Sequence, residues 1–599
     1  MKKLLLLVMF NVLCGGMYAQ RGVETINEGW FFVKSEQESI PAENEVAWQR
    51  VLIPHSWNVE DAYVLKSYYR GIGWYRKDLF IPQSYSDKQL FLKFDGVTTT
   101  AEVFINGVKA GMHKGGYTAF VIDANSLLKV GENNTIVIKA NNALQDVPPL
   151  SGDFTIFGGM YRDVWLISTN KIHFETANLA SKGVFVETPD VSESSATVRI
   201  WGNVVNSSTR AKKVRLASTV YSTEGVGVTE MKASLTIKPN TKQPFTQLSK
   251  VIKNPLLWSP DSPNLYKVVT QIIDNETGVV IDEISNPLGF RWYSVNTDKG
   301  FFLNGKPLKL MGVCRHQDYK GLGNALTDEM HRRDMQLIKN LGANFVRISH
   351  YPQDDAVLEY CDRLGLLVWE EIPVVDLVSL NEEFSENCKI NLREMIRQHY
   401  NHPSVVMWGY MNEVILKTVR SKEISEEEKK TIYNRTLELA KDLEQILHEE
   451  DKNRLSVMAL HGDKKTYHEI GISAVANIVG WNLYQGWYGD KFSAFDRFID
   501  AEKENYPNYP YIISEFGAGS DKRVHTFNPE SFDFSMEHQQ NYHEHYLPAI
   551  MERDYITGST MWNFIDFGSA NRDESMPRIN SKGLVYSDRT PKDVYYYYK

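Results

Sequence analysis

The chain has 599 residues and a formal net charge of −9, with no long run of charges of one sign. A chain of this length is too long for a single hydrophobic core, so we expect several domains. A nucleic-acid partner would require clustered Lys and Arg on one surface, and the even mixture of charges argues against it. Aromatic residues make up 12% of the chain; most are expected to fill cores, and some suit stacking on sugar rings.

Residues 1–19 are predicted to be a secretory signal peptide. Lys2 and Lys3 precede an apolar run, and small residues follow up to Ala19. This order of segments predicts export to the periplasm or the extracellular space. No later segment has about 18 unbroken apolar residues, so no membrane span is expected. The remaining thiols are too scattered for a disulfide framework or a zinc site, and they are Cys314, Cys361 and Cys388.

Residues 20–172 and 173–289 are predicted to form two all-β domains. Short alternating runs such as 101–105 end in turn signals such as Asn106-Gly107, and no long helical period interrupts them. We expect the first domain to be a jelly roll and the second to be a smaller immunoglobulin-like β-sandwich.

Residues 290–599 show a different pattern, in which apolar runs alternate with amphipathic helices such as 329–341 and 427–449. Repeated βα units of this kind predict a parallel sheet, and eight of them predict a (β/α)₈ TIM barrel. The eight candidate strands are 308–313, 344–349, 366–369, 405–410, 456–460, 478–482, 511–514 and 558–563.

Active sites of such barrels lie at the carboxyl ends of the strands, so the polar residues that close each apolar run are the candidates. The fourth run ends in Asn412-Glu413 and the seventh in Glu515. A single glutamate at the end of a strand is as often part of a structural salt bridge as part of an active site. Two, with polar side chains on neighbouring strands, indicate a convergent cleft. These neighbours include His316, His350, Tyr484 and Trp562.

Two carboxylates that face each other across a barrel mouth suit glycoside hydrolysis, in which one donates a proton and the other attacks the anomeric carbon. A separation of roughly 5–5.5 Å gives retention of configuration, and a wider gap gives inversion. Metal-assisted hydrolysis would need histidine and carboxylate ligands at matching spacing, and no HxH or HxxxH pair closes a strand. We therefore expect no catalytic metal and no cofactor.

Several motifs, spread over nearly the whole mature chain, resemble glycoside hydrolase family 2. Residues 401–405 (NHPSV) and 407–413 (MWGYMNE) resemble the acid/base signature of that family, and 513–517 (ISEFG) resembles its nucleophile motif. Residues 158–162 (GGMYR) and 70–74 (RGIGW) resemble its sugar-binding jelly roll.

The resemblance implies a retaining exo-β-glycosidase with Glu413 as acid/base and Glu515 as nucleophile. The negative charge of Glu515 should raise the pKa of Glu413, as a general acid requires. The other contacts that the resemblance implies are Asn412 at the sugar 2-hydroxyl, Tyr484 at the nucleophile, Trp562 stacked on the sugar, Asp153 reaching in from the first domain, and His316 and His350 at sugar hydroxyls.

The sugar is less determined by the sequence. Residues 312–318 and 514–519 look most like β-galactosidases, which favours terminal β-D-galactosides as substrates. The alternative is a β-glucuronidase, because Asn580 and Lys582 match the motif with which such enzymes hold the sugar carboxylate, and because glucuronidases often end near Lys599. Rarer pyranosides such as β-linked arabinose or galacturonate remain open.

A non-catalytic carbohydrate-binding protein on a decayed hydrolase scaffold is disfavoured, because both Glu413 and Glu515 are present. The expected partner is an oligosaccharide or glycoconjugate substrate. The sequence leaves the oligomeric state open, and a homo-oligomer is compatible with it.

Overall fold

The computed structural model describes residues 21–42, 44–64 and 67–599, so the predicted signal peptide, residues 1–19, lies outside the described residues. The first region is built from two antiparallel sheets that enclose one core, which confirms the predicted jelly roll. In spatial order, the six-stranded sheet contains Gln49–Val51, Trp30–Lys34, Ile72–Phe80, Asn133–Asn141, Thr100–Ile105 and Val108–Lys114, and the four-stranded sheet contains Gly22–Thr25, Val164–Thr169, Gln89–Phe94 and Phe120–Asp123.

Alternation along the strands explains how this core forms. In Thr100–Ile105 every second side chain is buried, as expected for a strand with one face on the core. The turn after it carries Asn106 and Gly107 at positive φ, the backbone conformation that the Asn-Gly signal favours. The region also contains the pair Val97–Thr98 with Gly159–Met160, the helix Val59–Val64 and the 3₁₀ turn Gln83–Tyr85.

The second region is the predicted immunoglobulin-like sandwich, with two antiparallel sheets over a separate core. One sheet contains Ile172–Phe174, Arg199–Asn206, Val184–Glu187 and Thr241–Leu248, and the other contains Gly227–Ile237, Lys212–Tyr221, Tyr266–Asp274 and Val280–Leu288. The short strands Ser195–Ala196 and Ile252–Lys253 pair beside them.

The third region is a closed barrel of eight parallel strands, as the alternation of strands and helices predicts. A small sheet leads into it, formed by Tyr293–Asn296, Gly300–Leu303 and Lys306–Pro307. The barrel strands, first to eighth, are Leu310–Arg315, Phe345–Ile348, Leu367–Glu371, Val405–Asn412, Leu455–His461, Ile478–Asn482, Tyr511–Glu515 and Ile556–Met561. Every predicted strand overlaps one of them.

Helices cover the outside of the barrel. They are Asp328–Asn340, Asp355–Leu364, Glu382–His399, Leu416–Arg420, Glu426–Glu450, Lys464–Ile470, Ser493–Asn505, Met536–Met551 and Asp593–Tyr598, with a 3₁₀ turn at Ile472–Ala474 and a strand pair Phe567–Gly568 and Ile579–Asn580. The strands are buried on both faces, which explains their continuous apolar runs. The longest helix begins with a capping box formed by Ser425 and Glu428.

The jelly roll packs directly on the mouth of the barrel. Ser151 Oγ donates to Asp376 Oδ2 at 2.8 Å, and the Thr155 amide donates to the Gly568 carbonyl at 2.9 Å. Buried Arg162 donates to the Pro352 carbonyl at 2.8 Å. These contacts fix residues 151–155 beside the carboxyl ends of the barrel strands. None of the helices in the described ranges is both long and apolar enough to cross a membrane.

Candidate active site

A cavity of about 660 Å³ lies at the carboxyl ends of the barrel strands. Glu413, which follows the fourth strand, and Glu515, which ends the seventh, both line it. Most of the predicted site residues also line it, namely Asp153, His350, Asn412, Tyr484, Trp562 and Lys582. The strand-end rule therefore brings together side chains that are distant in the sequence.

Glu515 is held by two donors, one on each carboxylate oxygen. Arg347 Nη1 donates to Oε1 at 2.9 Å, and the Tyr484 hydroxyl donates to Oε2 at 2.8 Å. Burial raises the pKa of Glu515 to about 7, and the charge of Arg347 and the Tyr484 hydrogen bond oppose that rise. Both donors favour the ionised form of this carboxyl group.

Glu413 has fewer donors and a higher pKa. Asn482 Nδ2 donates to its Oε1 at 2.9 Å. Burial and then the negative charge of Glu515 raise the pKa of Glu413 to about 8. When two neighbouring carboxyl groups share one proton, it resides on the group with the higher pKa, which here is Glu413. The backbone of Glu413 has φ +50°, a left-handed conformation that is uncommon outside glycine.

Arg347 links the site to a buried network and was not predicted from the sequence. Its Nη2 donates to Glu371 Oε1 at 2.9 Å and to Asn412 Oδ1 at 3.0 Å. His350 Nδ1 forms a hydrogen bond with Glu371 Oε1 at 2.8 Å, and burial followed by the charge of Arg347 lowers the pKa of His350 far below its usual value. The available signal was a charged residue inside the second barrel strand, which is otherwise apolar.

A second cluster surrounds Asp153. Arg572 Nε donates to Asp153 Oδ1 at 2.8 Å, and the Arg572 Nη2 group also contacts that carboxylate. Ser569 Oγ donates to Oδ1 at 2.6 Å, and Asn580 Nδ2 donates to Oδ2 at 2.9 Å. Asn580 itself does not line the cavity; it holds Asp153, which does.

Lys582 lies next to this cluster and is 2% exposed. Its Nζ donates to the Tyr488 hydroxyl at 2.8 Å and lies 5.0 Å from the centroid of the Tyr488 ring. Across residues 21–42, 44–64 and 67–599, no carboxylate oxygen lies within 4.0 Å of this ammonium group. Arg572 and Tyr488 also line the cavity; both lie in loops, and neither was predicted from the sequence.

His316 is the predicted site residue that lies behind the cavity wall. It is 1% exposed, its ring centroid is 5.2 Å from that of Trp562, and its Nδ1 forms a hydrogen bond with the Tyr351 hydroxyl at 2.9 Å. Trp562 stacks on His350 with a centroid distance of 4.8 Å. His316 is thus placed to support His350 and Trp562 rather than to line the cavity.

The described part of the chain contains no group of three or more His, Cys, Asp or Glu side chains arranged to hold a metal ion. The three thiols beyond the predicted leader are buried and free.

Three family models match consecutive parts of the chain. They are described as "Glycosyl hydrolases family 2, sugar binding domain" over residues 25–170, "Glycosyl hydrolases family 2" over residues 182–291, and "Glycosyl hydrolases family 2, TIM barrel domain" over residues 295–599.

Among individual proteins, a β-glucuronidase of Bacteroides fragilis is 36% identical over 618 residues, covering 99% of this chain and 83% of the relative. A β-galactosidase of Bacteroides ovatus is 29% identical over 629 residues, covering 96% of this chain and 71% of the relative. The solved structure of Bacteroides uniformis β-glucuronidase 2, covalently bound to cyclophellitol-6-carboxylate aziridine, is 50% identical, has a TM-score of 0.94, and is matched over 97% of this chain and 69% of that chain.

Proposed function

Since the chain belongs to glycoside hydrolase family 2, we propose that this glycosidase is a retaining exo-β-glucuronidase, which removes a terminal β-D-glucuronic acid. The observation that carries this proposal is the buried ammonium group of Lys582, which has no carboxylate oxygen within 4.0 Å in the described ranges. Burying a cation without an anion is unfavourable. A sugar carboxylate bound in the cavity would supply that anion.

The groups around Lys582 support the same sugar. The Tyr488 hydroxyl, which accepts from Lys582, lies 3.4 Å from Arg572 Nη2. A carboxylate entering beside Tyr488 would therefore meet two cations and a hydroxyl donor, and hydrogen bonds between charged groups are the strong ones. A neutral hexose would leave Lys582 unpaired.

The solved Bacteroides uniformis relative carries an inhibitor with a carboxylate at position 6, which supports a uronic acid as the sugar. A β-galactosidase is the second candidate, favoured by residues 312–318 and 514–519 and by the relative from Bacteroides ovatus. We rank it second because galactose offers no anion to Lys582.

The arrangement of the two carboxyl groups supports a double displacement. Glu413 donates its proton to the glycosidic oxygen while Glu515 attacks the anomeric carbon, so the bond from C1 to the leaving oxygen breaks as the bond from C1 to Glu515 forms. Glu413 then takes a proton from water, whose oxygen replaces Glu515 at C1. Two inversions at C1 retain its configuration.

Asn412 is positioned to assist both steps. Its Oδ1 accepts from Arg347 Nη2 at 3.0 Å and from Asn482 Nδ2 at 3.2 Å, which leaves its Nδ2 to donate to the sugar 2-hydroxyl. A hydrogen bond at this hydroxyl strengthens in the oxocarbenium-like transition state. Two contacts on the carbonyl side thus orient the amide for the substrate.

The substrate test compares 4-nitrophenyl β-glucuronide with 4-nitrophenyl β-galactoside in the wild type and in Lys582→Met. We expect the wild type to prefer the glucuronide. The substitution should lower kcat/KM for the glucuronide roughly 30- to 5000-fold, because it removes the lysine that pairs with the sugar carboxylate. This factor corresponds to a loss of about 2–5 kcal/mol of transition-state stabilisation. The rate on the galactoside serves as the internal control. Preference for the galactoside, unaltered in Lys582→Met, would show that the β-galactosidase candidate is right.

A covalent probe tests the mechanism independently. Cyclophellitol aziridine with a carboxylate at position 6 should label the wild type at Glu515, as found by peptide mass spectrometry, and the neutral cyclophellitol aziridine should label it far more slowly. Label on another residue would contradict the proposed nucleophile.

We also propose that the enzyme acts outside the cytoplasm, on the strength of the apolar leader after Lys2 and Lys3. Fractionation of cells that express the full chain tests this. Activity that stays with the cytoplasmic fraction, on a chain that keeps residues 1–19, would contradict export.

A further inference from the structure

The rim of the cavity carries a second pair of cations, next to the proposed acid/base. The short helix Leu416–Arg420 begins three residues after Glu413, and the Leu416 amide donates to the Glu413 carbonyl at 2.7 Å. Lys417 and Arg420 both line the cavity and are both exposed. Lys417 and Arg420 are therefore held close to Glu413, the residue proposed to protonate the leaving oxygen.

Neither cation forms a close ion pair within the described residues. In the parts of the chain that the structure describes, no carboxylate oxygen lies within 4.0 Å of the side-chain nitrogens of Lys417 or Arg420. Many exposed lysines have no ion-pair partner, so exposure alone does not indicate a binding site. The position inside the substrate cavity is what distinguishes this pair.

Most of the acidic side chains nearby have hydrogen-bond partners of their own. Asp376 accepts from Ser151 at 2.8 Å. Burial raises the pKa of Asp376, and the charges of Lys417 and Arg420 oppose that rise. Asp463 accepts from Thr466 Oγ1 at 2.7 Å and caps the helix Lys464–Ile470. Glu574, which also lines the cavity, accepts from Arg572 at 2.8 Å. Asp490 lies in the loop beside Tyr488 and also lines the cavity.

The two pairs of cations act on different groups. Burial is the largest cause of the raised pKa of Glu413, and the positive charge of Arg420 opposes it. Arg420 likewise adds to the effect of burial in lowering the pKa of His461, which also lines the cavity. The cations that lower the pKa of Tyr488 against the effect of burial are Lys582 and Arg572. Lys582 and Arg572 therefore act at the proposed carboxylate position, whereas Arg420 acts on Glu413.

We propose that Lys417 and Arg420 form a subsite for an anionic group on the aglycone, so that the preferred substrates are acidic oligosaccharides whose second unit carries a carboxylate or a sulfate. This inference rests on the proposed glucuronidase function and adds the chemical class of the group that leaves. An anion bound there would pair with two cations that have no carboxylate oxygen within 4.0 Å in the described residues. Lys417 and Arg420 follow Glu413 by four and seven residues, which is less than two helical turns beyond it.

The test uses two phenyl β-glucuronides of nearly equal size, one with a para-carboxylate and one with a para-carboxamide. The measured quantity is the ratio of kcat/KM for the carboxylate to kcat/KM for the carboxamide, in the wild type and in Lys417→Met/Arg420→Met. Differences in leaving-group ability cancel when the ratios of two enzymes are compared. We expect the double substitution to lower the ratio by roughly three- to tenfold, as two partly exposed ion pairs allow.

Two controls sharpen the result. Lys430→Met/Lys441→Met removes two exposed lysines from the helix Glu426–Glu450, outside the cavity, and should leave the ratio unchanged. Added salt should reduce the wild-type ratio and leave that of Lys417→Met/Arg420→Met nearly constant, because exposed charges are screened.

Each outcome decides a separate claim. An equal ratio in the wild type and in Lys417→Met/Arg420→Met, with both substrates hydrolysed, would overturn the anionic subsite and leave the glucuronidase proposal intact. Failure of the wild type to hydrolyse either glucuronide, while it hydrolyses the 4-nitrophenyl galactoside, would overturn the glucuronidase proposal and the subsite with it.

Discussion

The two ends of the active-site cavity are built in different ways. At the catalytic end, Glu413 and Glu515 lie at the ends of barrel strands, and Arg347 lies within one. At the end proposed to bind the sugar carboxylate, Asp153 comes from the jelly roll and Lys582 from the segment after the last barrel strand. The closed hydrogen-bonded barrel fixes the first group, whereas packing between loops fixes the second.

This difference separates chemistry from recognition. Reacting groups need positions that hold to a fraction of an ångström, which a barrel provides. Specificity changes when loops change, and loops tolerate such change without loss of the fold. Substitutions at the catalytic end should therefore lower kcat, and those at the other end should raise KM.

The largest expected effect is at the two carboxyl groups. Glu515→Ala should lower kcat on 4-nitrophenyl β-glucuronide by a factor on the order of 10⁵, because the covalent step is lost. Glu413→Gln should lower it by about 10²–10⁴, the usual contribution of general acid–base catalysis. Steady-state kinetics with unfolding curves for each variant measure this. Residual activity of a few per cent in Glu515→Ala would contradict its role as nucleophile.

Tyr484→Phe should have an intermediate effect at the same end. Losing a hydrogen bond to a charged group costs about 1.5–3 kcal/mol, which predicts a tenfold to hundredfold lower kcat with little change in KM. The hydrogen bond also holds down the pKa of Glu515, so its loss should move the acid limb of the pH profile to higher pH.

The wild-type pH profile provides the reference for that shift. Activity should rise as Glu515 ionises, with a pKa raised to about 7, and fall as Glu413 loses its proton, with a pKa raised to about 8. An acid limb that does not move in Tyr484→Phe would show that Tyr484 does not control the ionisation of Glu515.

The smallest expected effect is at Arg572, which lies at the recognition end. Arg572→Met should raise KM for the glucuronide by roughly three- to tenfold with kcat little changed. It removes one of the two cations beside the proposed sugar carboxylate. The effect should be modest because the ion pair of Arg572 with Asp153 is partly exposed to solvent. Arg333→Met, an exposed arginine on the helix Asp328–Asn340, is the matched control. A fall in kcat with constant KM in Arg572→Met would contradict the claim that the recognition end affects KM and the catalytic end affects kcat.

The fold was predictable because its signals are periodic. The eight apolar runs, separated by helices, predicted all eight barrel strands, and the helix predicted at 427–449 is observed at Glu426–Glu450. The carboxyl groups at the strand ends were predictable for the same reason, since the barrel alone dictates where the ends of strands meet.

The recognition end was harder to predict because only the Asn580 and Lys582 motif marks it in the sequence. Arg572 and Tyr488 reach the cavity through loop conformations that depend on tertiary contacts. Without Arg572 and Tyr488, the Asn580 and Lys582 motif did not outweigh the β-galactosidase-like segments, so galactosides were the first prediction from the sequence. His316 shows the limit of the strand-end rule. It directly follows a barrel strand, as the rule requires, but its side chain is buried behind the cavity wall.

The left-handed backbone of Glu413, with φ +50°, has an evolutionary consequence. This conformation costs a non-glycine residue about 1–2 kcal/mol, and burial of its carboxyl group adds to that cost. Glu413→Gly should therefore fold more stably than Glu413→Gln, which chemical denaturation would measure. A lineage released from selection for hydrolysis would lose the reaction in a single step that favours the fold, and would inherit an intact sugar-binding cleft.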